Sequence, residues 1–279
     1  MSKIAGRLRV LAACEALSLL IVGSVRATSQ ALRPASGEQS SVQGGALRLQ
    51  INTSKSAKLS AAPVLLVVLH GDAPFNKPDY QNVFAARVAA TNDDVVSVAL
   101  LRPGYTDPKG NKSDGVRGLT TGDNYNATNT DAIAAAIDEL KRRWHARKVV
   151  VAGHSGGAAI TANILGRHPR VIDAALLVSC PCDVDKWRQH MFQLQHAAVF
   201  QGKIETLSPI EHIAGISDRA NILMMVGDHD EIAPPDISVS YQAAAAKLGK
   251  HVRLAQLPGK GHEIFLEDAV FAALAPLLK

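Results

Sequence analysis

One serine stands where it could act as a nucleophile. Ser155 lies in Gly153-His154-Ser155-Gly156-Gly157, directly after the apolar residues 149–152 and before a helix-like stretch. A G-x-S-x-G pattern between a buried strand and a helix is typical of a sharp turn that exposes the serine oxygen. Glycines suit the neighbouring positions because a Cβ would clash in so tight a turn. The backbone N–H of Gly156, at the helix N-terminus, would face negative charge developing on a substrate oxygen.

An attacking serine needs a base, and the base needs an acid that orients it. Asp230 follows the apolar run 221–226, and His262 follows the strand-like residues 252–257. Both residues would lie past the carboxyl ends of strands, where open α/β sheets place their sites. We therefore predict Ser155 as nucleophile, His262 as general base and acid, and Asp230 as the orienting carboxylate.

Neighbouring residues offer alternatives for these roles. Asp228 could be the acid in place of Asp230, although a turn residue there would satisfy local backbone N–H groups. We expect His154 to serve in packing, with its ring turned away from the nucleophile. His229 is expected to be solvated or to lie behind the site. The remaining histidines show no ligand-like pairing, so no metal site is predicted.

Four motifs together resemble the α/β-hydrolase superfamily from about residue 46 to the C-terminus. They are Leu69-His70-Gly71-Asp72, the Ser155 pentapeptide, Gly227-x-x-Asp230-x-x-x-Pro234 and Gly261-His262. The G-x-x-D spacing favours Asp230 over Asp228. Within the superfamily, residues 207–212 before the Asp230 strand are similar to the prolyl-oligopeptidase and dienelactone-hydrolase branch. Dienelactone hydrolases carry a nucleophilic cysteine where this chain has Ser155, so their reaction is not expected here.

The resemblance implies an oxyanion hole built from the backbone N–H groups of Gly156 and Asp72, with Ala73 as the alternative to Asp72. We expect the Asp72 side chain to point outward before Pro74. Recognition of a positively charged substrate group is the alternative role for this carboxylate.

A Ser155–His262–Asp230 set would work through an acyl-enzyme, which requires no cofactor. We expect a serine hydrolase of a small or medium carboxylic ester. A serine peptidase or amidase of prolyl-oligopeptidase-like type, acting on a short peptide-like substrate, is the alternative. A noncatalytic binding protein on the same fold is an alternative of another class.

The order of elements predicts an α/β-hydrolase fold, a mostly parallel sheet with flanking helices. The 279 residues suffice for one large domain, which we place at residues 46–279. Residues 47–51 alternate like an edge strand. Residues 102–129 form a long polar loop beside the cleft, in which Tyr105 and Tyr125 are candidate substrate contacts or solvent-facing turn residues. The resemblance to α/β-hydrolases implies that residues 182–219 form a small cap insertion.

Residues 1–27 resemble a secretory signal or an N-terminal anchor, with basic residues before an apolar run. Residues 28–45, rich in Ser, Gln, Gly and Ala, are expected to be a flexible linker. We expect export to the periplasm or beyond, and membrane contact only if the N-terminal segment is uncleaved. The formal net charge is +5 without a basic cluster, so nucleic acid is not an expected partner.

Two of the three cysteines lie close together, in Cys180-Pro181-Cys182. A spacing of one residue would strain a disulfide between them, so we do not expect a bond. Cys180 is instead predicted to be a small buried hydrophobe at the end of a strand.

Overall fold

The computed structural model describes residues 37–279. Within this range a single sheet of eight strands is flanked by α-helices. The strands are Glu38–Gly44 (β1), Leu47–Lys55 (β2), Val64–Leu69 (β3), Val95–Leu100 (β4), Lys148–His154 (β5), Ala174–Val178 (β6), Asn221–Gly227 (β7) and Val252–Leu257 (β8). The α-helices are Tyr80–Thr91 (α1), Ala127–Arg143 (α2), Gly156–Arg167 (α3), Val184–Gln195 (α4), Pro235–Lys247 (α5) and Asp268–Leu274 (α6).

The sheet has the strand order β1-β2-β4-β3-β5-β6-β7-β8. From β4 to β8 every neighbouring pair is parallel, whereas β2 is antiparallel to both β1 and β4. The carboxyl ends of β3, β5, β7 and β8 therefore meet at one edge of the sheet. The loops that carry the predicted site residues leave from this edge, and the predicted α/β-hydrolase architecture is confirmed.

Two apolar cores cover the two faces of the sheet. β3 shows why, because all six of its residues are apolar and buried. Its odd-numbered residues join a core that includes residues of α2, α3 and α5, and its even-numbered residues join a core with α1 and α6. Successive side chains of a strand point to opposite faces, so a continuous apolar run is what a central strand covered on both sides requires.

The first strand corrects two expectations. Residues 38–44, which we placed in a flexible linker, form β1, and β1 rather than β2 is the edge strand. A two-residue turn at Gly45 and Ala46 joins the strands, and the positive φ of Gly45 suits such a hairpin. Val42 is the only large apolar side chain in β1, so the sequence of this segment has no alternating apolar pattern that would predict a strand.

The predicted signal or anchor at residues 1–27 and the first part of the predicted linker, residues 28–36, lie outside the residues that the structure describes. Between residues 37 and 279, no helix combines the length and the hydropathy that crossing a bilayer requires.

Candidate active site

Ser155 occupies the turn between β5 and α3. Its φ of 51° and ψ of −120° place a residue with a side chain in a region that normally favours glycine. The turn also packs tightly against the end of β3. A Cβ on Gly157 would lie 2.5 Å from the carbonyl oxygens of Leu69 and His70, and only glycine avoids that clash.

Ser155, His262 and Asp230 form one row of hydrogen bonds. His262 Nε2 lies 3.0 Å from Ser155 Oγ, and His262 Nδ1 lies 2.9 Å from each carboxylate oxygen of Asp230. A carboxylate only accepts hydrogen bonds, so Nδ1–H donates to Asp230 and Nε2 is left to accept the serine proton. The structure thus brings together three residues that are 107 and 32 positions apart in the sequence.

Asp230 is held rigidly. Its side chain is fully buried, and Oδ1 also accepts hydrogen bonds from the backbone N–H groups of Ile232 and Ala233. Burial alone would raise the pKa of Asp230, but the hydrogen bonds and charge of His262 outweigh it, and the net effect is a lowered pKa. Asp230 is therefore an ionised carboxylate at neutral pH.

The competing residues lie elsewhere. Asp228 is exposed, and its carboxylate approaches the ring of His229 at 3.8 Å rather than that of His262. His229 is itself exposed, as expected. His154 is buried against Phe265, which agrees with a packing role, although its ring nitrogens also make polar contacts with Tyr80 and with the His262 carbonyl.

Asp72 does not point outward, and this expectation is wrong. Its Oδ1 lies 2.9 Å from Arg102 Nη2, and its Oδ2 accepts a hydrogen bond of 2.7 Å from the hydroxyl of Tyr125. Arg102 is fully buried. A buried guanidinium needs a counter-charge, and this need turns the carboxylate inward. The carboxylate is so close to the elbow that a Cβ on Gly156 would lie 2.4 Å from Asp72 Oδ1.

Arg102 joins two loops. Its backbone N–H donates to His70 Nε2, and its guanidinium donates to the His70 carbonyl at 3.1 Å and to Asn124 Oδ1 at 2.6 Å. His70 is fully buried, and burial together with the nearby Arg102 charge lowers the pKa of its imidazole well below the usual value. A neutral His70 can accept at Nε2 while Nδ1–H donates to the Gly71 carbonyl.

The two tyrosines of the 102–129 loop are neither substrate contacts nor solvent-facing. Tyr105 is 1% exposed and Tyr125 is fully buried. Tyr105 packs edge-on against His70, while Tyr125 anchors Asp72. The loop reaches the cleft through Leu119, Thr120 and Thr121 instead.

A cleft of about 830 Å³ opens over Ser155 and His262. The segment between β6 and β7 contributes an apolar wall to it. Further apolar side chains come from the loop after β3 and from the 102–129 loop. The wall residues from the segment are Trp187, Met191, Val199 and Phe200, and the loops add Phe75 and Leu119.

Hydrogen bonds connect the segment between β6 and β7 to loops on both sides of the cleft. Trp187 Nε1 donates to the carbonyl of Ile232, in the loop that carries Asp230. Arg188 donates to the carbonyl of Thr121 at 2.6 Å, in the 102–129 loop. The cleft wall is therefore bonded to the loops on which the site depends.

Cys180 and Cys182 are joined by a disulfide, against expectation. Their Cα atoms are 5.1 Å apart, within the range that a disulfide spans without moving the backbone. The one-residue spacing alone did not suggest that this separation suits a disulfide. Both cysteines are fully buried, as expected for Cys180.

Arg102 and Tyr80 contact the site but were not among the residues predicted for it. One feature of the sequence could have pointed to Arg102, because it is a lone charge at the end of the apolar run 95–101. No feature of the sequence pointed to Tyr80, since a tyrosine at the first position of a helix is ordinary. Its hydroxyl accepts a hydrogen bond from the Gly71 N–H at 2.5 Å and lies 2.8 Å from His154 Nδ1.

Similar solved structures share this fold at low sequence identity. Acylaminoacyl peptidase of Pyrococcus horikoshii is 18% identical with a TM-score of 0.62, over 83% of this chain and 38% of that one. Est1E of Butyrivibrio proteoclasticus, solved with ferulic acid bound, is 15% identical with a TM-score of 0.63. The match covers 86% of this chain and 98% of Est1E. Proline iminopeptidase of Mycobacterium smegmatis is 15% identical with a TM-score of 0.61. The match covers 86% of this chain and 97% of the iminopeptidase. This chain thus spans about two fifths of the length of the acylaminoacyl peptidase.

The fold and the family match define a serine hydrolase of the α/β-hydrolase fold. The model of the prolyl oligopeptidase family matches residues 107–277, more than half of the chain. The chain therefore belongs to the prolyl oligopeptidase family. Comparison with curated protein sequences gives no match.

Proposed function

We propose that this protein hydrolyses small or medium carboxylic esters through an acyl-enzyme formed on Ser155. The observation that carries the proposal is the row of hydrogen bonds from Asp230 through His262 to Ser155, beside an open cleft. The three side chains lie in the order and at the distances that nucleophilic catalysis by serine needs.

In the proposed mechanism, His262 Nε2 takes the proton of Ser155 Oγ as the oxygen attacks the ester carbonyl. Asp230 holds the Nδ1–H tautomer and stabilises the imidazolium that forms. His262 then gives the proton to the leaving alcohol. Water, deprotonated by His262, attacks the acyl-enzyme and restores Ser155.

The negative charge on the carbonyl oxygen would be stabilised by the backbone N–H groups of Gly156 and Asp72. Gly156 is the first residue of α3, so its N–H has no partner within the helix and lies at the positive end of the helix dipole. The Asp72 carboxylate is bonded to Tyr125 and paired with Arg102, which supports a fixed position for the Asp72 backbone.

The cleft supports an ester with an apolar acyl or alcohol group. Its volume of about 830 Å³ is in the range of sites for small molecules. Phe75 is 95% exposed and Leu119 is 68% exposed, and both line this cleft. An apolar substrate group would cover these side chains and remove them from water.

A peptidase is the second candidate. The family match and the similarity to acylaminoacyl peptidase favour it, since the same serine chemistry cleaves amides. The chain covers nearly all of Est1E and of proline iminopeptidase, so its length is compatible with either substrate class.

Two measurements test the proposal. Intact mass after treatment with a fluorophosphonate should show one adduct on the wild type and none on Ser155→Ala. Initial rates should then be compared for p-nitrophenyl esters and for aminoacyl p-nitroanilides with matched acyl groups. Aryl esters are intrinsically more reactive than anilides, so turnover of the esters without measurable turnover of the anilides supports the first candidate. Turnover of the anilides supports the peptidase, and absence of the adduct would contradict both.

We also propose that the protein is exported. This proposal rests on residues 1–27 of the sequence alone, in which basic residues precede an apolar run. Fractionation of expressing cells with N-terminal sequencing tests it. A mature N-terminus near residue 28 in the periplasm or medium is expected, and an intact Met1 in the cytosol would contradict it.

A further inference from the structure

A chain of hydrogen bonds in the wall of the cleft links the loop after β3 to the loop after β8. The Gly71 N–H lies 2.5 Å from Tyr80 Oη, Tyr80 Oη lies 2.8 Å from His154 Nδ1, and His154 Nε2 lies 3.2 Å from the His262 carbonyl. Gly71 directly precedes the proposed oxyanion donor Asp72. The two ends of this chain are therefore the backbones on which the oxyanion hole and the general base depend.

The direction of every bond in this chain follows from the chemistry of its members. The His262 carbonyl can only accept, so His154 Nε2 must carry the proton. Burial, together with the charge of His262, lowers the pKa of His154 to about 3, so the ring is neutral and Nδ1 is an acceptor. Tyr80 O–H therefore donates to Nδ1, while the Tyr80 oxygen accepts from Gly71.

A second donor converges on the same carbonyl. Ser179 Oγ lies 3.1 Å from the His262 oxygen, and Ser179 is a fully buried residue with a φ of 51°. A buried serine in this region is strained and persists only where its surroundings hold it there. The Ser179 hydroxyl also faces the Asp230 carboxylate and contributes to its lowered pKa, so Ser179 contacts both the backbone of His262 and the residue that orients its ring.

We propose that Tyr80 and His154 are positioning residues that fix the His262 backbone relative to the oxyanion loop. This inference rests on the proposed function of Ser155 and His262, and it adds a role that packing of His154 alone does not include. The ring of His262 is oriented by Asp230, while its main chain is placed by His154 and Ser179. A shift of either loop would misalign the base and the oxyanion donors together, which is costly because catalysis depends on small distances.

The tautomer of His154 provides a test that does not require activity. Nitrogen-15 NMR of the histidine rings at pH 6 to 8 should show His154 neutral with its proton on Nε2. In Tyr80→Phe the Nδ1 resonance should move, because its donor is gone. A His154 ring protonated on Nδ1, or an unchanged Nδ1 resonance in Tyr80→Phe, would overturn the proposal whatever the substrate is.

Kinetics separate positioning from packing. His154→Leu fills space but makes no hydrogen bond, whereas His154→Gln can donate to the His262 carbonyl and accept from Tyr80. We expect His154→Leu and Tyr80→Phe to lower kcat roughly ten- to a hundred-fold with little change in KM, and His154→Gln to recover most of the loss. If packing alone matters, His154→Leu will be the more active of the two His154 variants, and the proposal is wrong.

A matched control exists for the tyrosine. Tyr241 is fully buried and has no hydrogen-bond partner for its hydroxyl within the described chain, so Tyr241→Phe should leave kcat unchanged. Equal losses in Tyr80→Phe and Tyr241→Phe would contradict a specific role for Tyr80. Wild-type turnover and fluorophosphonate labelling, measured alongside, report separately on whether the proposed function itself fails.

Discussion

Asp72 and Arg102 form an ion pair beside the nucleophile elbow, with 2.9 Å between Oδ1 and Nη2. The arginine side chain is fully buried, and the aspartate side chain is 12% exposed. A negative charge beside the proposed oxyanion hole would oppose the charge that develops on the substrate oxygen there. Pairing with Arg102 offsets this repulsion and at the same time fixes the loop that carries the proposed donor.

The first prediction concerns this ion pair. Arg102→Leu should lower the free energy of unfolding by about 3 kcal/mol, because it leaves a largely buried carboxylate without its positively charged partner. The double variant Arg102→Leu with Asp72→Asn should regain part of that loss. Urea denaturation measures both.

Arg142 provides the control for this prediction. Its side chain is 69% exposed and pairs with Glu139 on the surface of α2. Arg142→Leu should change stability by less than about 1 kcal/mol. Equal effects of the two arginine substitutions would mean that burial of Arg102 does not govern its contribution.

The second prediction concerns the acid. Asp230→Asn should lower kcat by roughly a thousand-fold or more while the protein stays folded, because an amide favours the wrong tautomer of His262. Steady-state kinetics on an ester substrate and circular dichroism measure the two properties. Asp228→Asn is the control, since Asp228 is exposed and makes no contact with His262. A severe loss in Asp228→Asn would reassign the acid.

The third prediction concerns acid stability. The pKa of His154 is lowered by burial from 6.5 to about 3, so between these values the unfolded chain binds a proton that the folded chain does not. The stabilising contribution is therefore complete above about pH 6.5 and is lost as the pH falls towards 3. Gln does not titrate, so His154→Gln should show a shallower loss, by up to roughly 1.4 kcal/mol per pH unit.

Urea unfolding at several pH values between 7 and 4 gives these slopes. His70 and Asp230, whose pKa values are also lowered, add acid sensitivity of the same sign in both proteins. Their contributions cancel in the comparison. Identical slopes for the wild type and His154→Gln would show that His154 does not resist protonation.

The fourth prediction concerns the apolar lip of the cleft. Phe75→Ala should leave stability unchanged, because the side chain is 95% exposed. It should lower kcat/KM for a p-nitrophenyl ester with a long acyl chain by roughly fivefold and have little effect on the acetate, since only the larger group can cover the ring. Leu248→Ala, at an exposed site away from the cleft, is the control. A uniform effect across the ester series would remove Phe75 from substrate binding.

The sequence was most informative where the signal is local. Ser155 directly follows β5, and Asp230 and His262 lie three and five residues beyond the ends of β7 and β8, so each predicted site residue lies close to the end of a predicted strand. Strand β1 was missed because its residues are mostly polar, and pairing with β2 rather than its own pattern determines its conformation. Asp72 was misjudged because its partner, Arg102, is 30 residues away. Contacts between distant loops depend on the finished fold.

The burial of the Cys180–Cys182 disulfide affects when this bond can form or be reduced. The bond closes a ring of only three residues, so it removes little freedom from the unfolded chain. Both sulfur atoms are inaccessible in the folded protein, and a thiol in solution reaches them only when this region opens. A change in the oxidation state of the folded pair therefore requires local opening, and it is slower than the same change in the unfolded chain. The fraction of a purified sample in which Cys180 and Cys182 are oxidised would therefore depend on the compartment in which the chain folded.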